Sequence, residues 1–143
     1  MIQPTIDIQY EGSKPESIDF EVIETALQEV MSAHSAEGTV SLILTNDKTI
    51  QTLNREFRNI DTATDVLSFE LDDEVHPGES GLGEVYISLE QAWKQSQEAD
   101  RAFEIEVAHL AIHGTLHLLG YEHETDSGYA KMNQKELDYL PVG

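Results

Sequence analysis

The sequence contains no cysteine, which excludes disulfide scaffolds and thiolate metal sites. Basic residues are scarce: 8 Lys+Arg stand against 28 Asp+Glu in 143 residues, a formal net charge of -20. Nucleic-acid binding normally rests on Lys and Arg neutralising phosphates, so a free-standing tight binder is disfavoured. No stretch approaches the roughly twenty apolar residues that would span a bilayer. The start, Met1-Ile2-Gln3-Pro4-Thr5-Ile6-Asp7, lacks the basic cap and apolar run of a secretory signal. There is no repeat, no low-complexity tract and no Pro/Gly/Ser linker long enough to separate two domains. The expectation is one cytoplasmic domain over residues 1–143, with no membrane partner. At 39% hydrophobic residues the chain can bury a core despite its acidity.

Apolar periodicity gives the coarse layout. Ile6, Ile8 and Tyr10 alternate with polar residues, as in a strand with one buried face. Ser17 or Asp19 can cap a helix whose Phe20, Ile23, Ala26, Leu27, Val30 and Met31 form one apolar stripe. Thr39 to Thr45 reads as a well-buried strand. Asn46 or Asp47 then opens a short helix with Ile50, Leu53 and Phe57 inward, and Arg55 and Arg58 roughly opposite. Asp65 to Phe69 predicts a brief strand, and the acidic stretch Leu71 to Ser80, with Pro77-Gly78, an exposed loop. Leu82 to Ser88 predicts another strand with Val85 and Ile87 on one face, and Ser88 caps a helix to about Ala99. The longest helical pattern runs from about Phe103 to Leu119 and stops at Gly120. A last amphipathic helix starts near Asp126. Strands and helices mix without strict alternation, so the expected fold class is α+β: a small mixed sheet of about four strands covered by helices.

Four of the six histidines fall between residues 109 and 123. His113 and His117, four apart, present two imidazoles on one helix face. Gly120 can end the helix and let the chain double back, bringing His123 beside the last turn as a third nitrogen ligand. Three histidines with an open fourth position describe a catalytic metal site at the end of a central helix, most simply for Zn2+. Ni2+ or another divalent ion also suits three imidazoles. A lone His pair at this spacing more often lies on a polar helix face or makes core hydrogen bonds; the third His after a helix-ending Gly tips the reading toward metal. His109 lies on the same face, but a straight helix cannot converge His109, His113 and His117 on one ion, so it reads as a core or supporting residue. The frame H-x-x-x-H-x-x-G-x-x-H also matches a zinc-protease superfamily, which places a general-base Glu directly after the first His. Here that position is Gly114, which counts against proteolysis.

The stretch His113-Gly-Thr-Leu-His117-Leu-Leu-Gly120-Tyr-Glu-His123 resembles the signature of the YbeY family, metal-dependent endoribonucleases of ribosomal RNA maturation. Two further blocks agree in order: Leu53-Asn54-Arg55-Glu56-Phe57-Arg58 followed by Thr64-Asp65-Val66-Leu67-Ser68-Phe69, and Leu82-Gly83-Glu84-Val85-Tyr86-Ile87-Ser88. The family usually has Asp where Glu122 and Glu84 stand, and often Pro where Glu70 stands. Each carboxylate swap keeps the charge and moves the oxygen by one methylene.

The resemblance implies a zinc-dependent, single-strand-specific endoribonuclease acting on small-subunit ribosomal RNA, with a ribosomal subunit or helper protein presenting the RNA. It implies His113, His117 and His123 as metal ligands and Arg58 as the arginine beside the site. A guanidinium there can hold a phosphate bidentately and stabilise developing charge; the competing role is an ion pair with one of the many carboxylates. Asp65 could orient a ligand His or accept a proton, or merely bond its own turn. Glu122 could serve as a base or be a solvent-exposed turn residue. Two other readings compete: a metal-binding, ribosome-associated factor with incidental catalysis, and a zinc hydrolase of another substrate.

Overall fold

Period-two patterning and three side-chain helix caps lay out most of the architecture. In a computed structural model, residues 5–12, 18–34, 38–70 and 81–119 are described. They form strands β1 (Thr5–Tyr10), β2 (Thr39–Thr45), β3 (Val66–Glu70) and β4 (Gly81–Ser88). The helices are α1 (Phe20–Ala33), α2 (Asp47–Arg58), α3 (Leu89–Glu98) and α4 (Phe103–Leu118). The strands make one four-stranded sheet in the order β1-β2-β4-β3. β1, β2 and β4 run parallel, whereas β3 pairs antiparallel with β4 and forms an edge. This is the expected mixed α+β arrangement.

Alternation along the strands divides the sheet into two faces. Val40, Leu42 and Leu44 of β2 and Val85 and Ile87 of β4 are fully buried and join one core with residues of α1, α3 and α4. Ile43 and Leu67 turn to the opposite face, where α2 lies against β3 and β4. The caps settle where each helix begins. Asp19 accepts from the backbone of Glu21 at 3.0 Å, Asn46 from Thr49 at 2.9 Å, and Ser88 from Gln91 at 3.3 Å. Such caps contribute about 1 kcal/mol each. Ser88 also donates to Asp47 at 2.6 Å, and Gln91 donates to the same carboxylate at 3.2 Å, so the starts of α2 and α3 are tied together.

α4 is apolar around most of its circumference and therefore runs through the interior. From Ile105 to Leu118 every residue is buried except His109, His113 and His117. Those three, spaced by four, are the only places where this part of the helix meets solvent.

Two expectations need adjustment. β3 begins at Val66 rather than Asp65. Phe57 does not face inward with Ile50: it is 67% exposed, whereas Ile50 is fully buried. Phe57 stands on the last turn of α2, beside the edge strand, where its ring meets only the margin of the sheet. The expected loop over 71–80, the helix stop at Gly120 and the final helix lie outside the described residues. Among the described residues no helix is long and apolar enough to cross a membrane.

Candidate functional site

His113 and His117 stack one turn apart on α4, and their Nε2 atoms lie 3.2 Å from each other. Both rings are half-buried, with centroids 4.8 Å apart. Two imidazole nitrogens on one tetrahedral zinc, each at about 2.0–2.1 Å, stand roughly 3.3 Å apart. The observed separation therefore suits a shared cation. Without a cation the same contact is a hydrogen bond, one ring donating from Nε2 and the other accepting. Among the described residues no third His, Asp or Glu joins the pair to complete a set of three. His123 and Glu122 lie outside the described residues.

The surroundings of the pair are built by β3. Ser68 faces α4, and its hydroxyl donates to the carbonyl of Gly114 at 2.9 Å. Its own carbonyl accepts from Nη2 of Arg58 at 2.8 Å. One strand residue thus joins the Arg58 guanidinium to the helix backbone directly after His113. Arg58 ends α2 at the edge of the sheet, with its Cζ 5.3 Å from the centre of the Phe69 ring. Its neighbour Arg55 approaches Asp61 at 3.9 Å, both exposed. Arg58 keeps N–H groups directed away from the carbonyl it holds, because a guanidinium carries five donors.

Among the described residues Asp65 is partnered by Thr64 and Gln95. Its carboxylate accepts from Thr64 at 3.3 Å and from Gln95 at 3.1 Å, which anchors the turn before β3 to α3. His109, which the sequence reads as a core or supporting residue, lies in a polar cluster whose other members the sequence did not single out. Its Nδ1 lies 3.5 Å from Glu106 and 3.1 Å from Nη1 of Arg101, and Arg101 also donates to Glu106 at 3.1 Å. Hydrogen bonding to His109 holds the Glu106 carboxyl below the ordinary carboxylate range; burial opposes this, and the charges of His109 and Arg101 reinforce it. A buried carboxylate requires such partners. The i,i+3 spacing of Glu106 and His109 was a signal that could have revealed the pair.

Gly114 has a packing role that the comparison with zinc proteases does not capture. An added Cβ there would lie 2.5 Å from Val85 Cγ1, 2.9 Å from Ser68 Oγ and 3.2 Å from Val66 Cγ2. The residue after the first His thus faces the sheet at a distance that admits no side chain. A glutamate at 114 would have no room to turn toward the histidines, so the geometry disfavours a protease-type general base at this position.

The family model for Endoribonuclease YbeY matches residues 7–141. An Endoribonuclease YbeY of Desulforamulus reducens is 42% identical over 124 residues, covering 83% of this chain and 80% of the relative. One from Clostridioides difficile is 47% identical over 105 residues, 71% of this chain and 69% of the relative. The solution structure of TM1509 from Thermotoga maritima superimposes with a TM-score of 0.65 at 32% identity, covering 94% of this chain and 86% of that one. A family match across residues 7–141, with relatives 42–47% identical over most of the chain, means that the chain belongs to the YbeY family.

Proposed function

We propose that this chain is a metal-dependent endoribonuclease that cleaves single-stranded RNA during maturation of small-subunit ribosomal RNA. The observation that carries the reading is the convergence of two imidazole nitrogens at 3.2 Å, joined through Ser68 to an arginine at the sheet edge. His113 and His117 would hold the cation, with His123 as the third ligand and Zn2+ as the simplest occupant. When bound, such a cation supplies Lewis acidity toward a phosphodiester and toward water.

The protein's own part is positioning and charge. Arg58, anchored by the Ser68 carbonyl, is held in one orientation and can accept a phosphate on its remaining donors, stabilising charge that develops as the phosphodiester breaks. Ser68 keeps β3 and α4 in fixed relation, so the phosphate-binding and metal-binding groups do not drift apart. The cluster of Arg101, Glu106 and His109 secures the first half of α4 beneath them.

A net charge of -20 leaves few cations for the RNA backbone. Affinity of the isolated chain for RNA should be weak and fall steeply with salt. A ribosomal subunit or helper protein that presents the RNA would supply the rest.

The test is cleavage of a single-stranded RNA by the purified chain, with and without chelator, beside His117→Ala and Arg58→Ala. The proposal expects cleavage that chelator abolishes, that His117→Ala loses together with metal, and that Arg58→Ala loses while retaining metal. Metal bound with RNA untouched at stoichiometric protein would favour a ribosome-associated factor without catalysis. Cleavage unaffected by chelator would remove the metal from the reaction.

A further inference from the structure

Beside Arg58 lies a group of aromatic rings that neither the core nor the metal pair uses. Phe57 is 67% exposed and Ile60 50% exposed at the end of α2. The Phe57 ring meets Phe69 of β3 edge-on, centroids 5.7 Å apart at 66°. Phe69 in turn meets Tyr86 of β4 at 5.8 Å and 80°. Among the described residues Phe57 meets no ring other than Phe69, and most of its surface faces solvent. Leaving a Phe mostly in water forgoes the stabilisation that burial would give it. Single exposed apolar residues are commonplace, but this one belongs to a continuous row of rings with a guanidinium beside it.

Arg58 follows Phe57 directly in the chain, and its Cζ lies 5.3 Å from the ring of Phe69, the middle member of the row. On the far side of Phe69 the Tyr86 hydroxyl donates to Glu84 at 3.3 Å. An anionic group is attracted by Arg58, and a flat apolar group fits the exposed ring of Phe57 next to it. A nucleotide has both parts. Aromatic faces next to an Arg are how sequence-tolerant proteins hold unpaired bases.

We propose that Phe57, supported by Phe69 and Tyr86, is a stacking shelf for one unpaired base of single-stranded RNA, adjoining the phosphate held by Arg58. The inference rests on the RNA-cleaving reading and deepens it. A base inside a duplex cannot reach the shelf, so it supplies a reason for preferring single strands. Recognition through a ring face ignores base identity, so cleavage should tolerate sequence changes at the stacked position.

The test measures binding of a short, unstructured, fluorescein-labelled RNA to the metal-loaded full chain by anisotropy, with cleavage followed in parallel. Phe57→Ala should weaken binding roughly 5- to 150-fold, the effect of losing one base stack. Phe57→Trp should restore it, and neither variant should shift the melting temperature by more than a degree or two, since the ring is mostly exposed. A scan of abasic positions along the RNA should find one whose loss matches that of Phe57→Ala. That loss should vanish in the Phe57→Ala background, which a merely structural role for the ring would not produce. Wild-type binding and cleavage with Phe57→Ala unchanged would overturn the shelf and leave the endoribonuclease reading intact. Absence of RNA binding and cleavage by the wild type would overturn both. A change of oligomeric state in Phe57→Ala, with RNA affinity unchanged, would assign the rings to self-association instead.

Discussion

Replacing Gly114 with Ala inserts a methyl group where α4 crosses the sheet most closely. The new carbon would lie 2.5 Å from Val85 Cγ1, well inside the ordinary carbon–carbon contact of about 3.5–4.0 Å. Val85 is β-branched and fully buried, so it cannot swing aside into solvent. α4 must retreat from β3 and β4 by a substantial fraction of an ångström. Helix propensity alone favours Ala over Gly by about 1 kcal/mol. Overpacking a core costs about 1–3 kcal/mol. Stretching the Ser68–Gly114 hydrogen bond forfeits up to about 0.5–1.5 kcal/mol more. The balance is a destabilisation of about 0.5–3.5 kcal/mol, or a melting temperature lowered by roughly 2–12 °C for a chain of this size. Urea unfolding should show a lower midpoint at constant slope. A Val85→Ala background should relieve the clash, so the double variant should be more stable than the sum of the two single effects by about 1 kcal/mol or more. If Gly114→Ala melts at or above the wild-type temperature, as propensity alone would have it, the close approach of helix and sheet is wrong.

Other outcomes follow from the same geometry. Arg58→Lys keeps a charge but loses the fork that holds the Ser68 carbonyl and a phosphate together, so cleavage should fall by about tenfold or more while thermal stability moves by under about 1 kcal/mol. Arg58→Ala should also lower the salt slope of RNA binding by about 1, which titration at several salt concentrations would detect. Because the folded state holds the Glu106 carboxyl below its usual value of 4.5, the group binds fewer protons folded than unfolded near that pH. Its contribution to stability is therefore full above about pH 4.5 and lost as pH falls through the folded value; Glu106→Gln should flatten the acid limb of a stability-against-pH curve. Ser68→Ala leaves the Gly114 carbonyl without its cross-strand donor and should lower stability by about 1 kcal/mol, measured by urea unfolding, with a larger proportional loss of cleavage.

Local chemistry was the legible part of this fold. Asp19, Asn46 and Ser88 cap the helices their positions suggested, because a cap is an interaction within a few residues. Val85 and Ile87 share a face because alternation is a property of the strand itself. The strand order β1-β2-β4-β3 was not legible, since an alternating pattern says which face is apolar but not which neighbour it pairs with. Phe57 was placed inward by its spacing from Ile50 and Leu53; that spacing cannot show that the sheet ends beneath the last turn of α2. The alignment of His113 and His117 was implicit in four-residue spacing, and their convergence to 3.2 Å follows from it. The bridge through Ser68 joins residues 46 apart in sequence and exists only once β3 and α4 pack. For the same reason Gly114 read as a missing glutamate, when what governs it is the side chain of Val85.

The most direct test of the central claim is the metal content of the purified chain, with X-ray absorption on the bound ion to count its imidazole ligands. The account predicts close to one divalent ion per chain in a histidine-rich shell, lost in both His113→Ala and His117→Ala while those variants remain folded. Retention of the ion by both variants at full stoichiometry, or a folded wild-type chain that takes up none under metal-replete conditions, would contradict it.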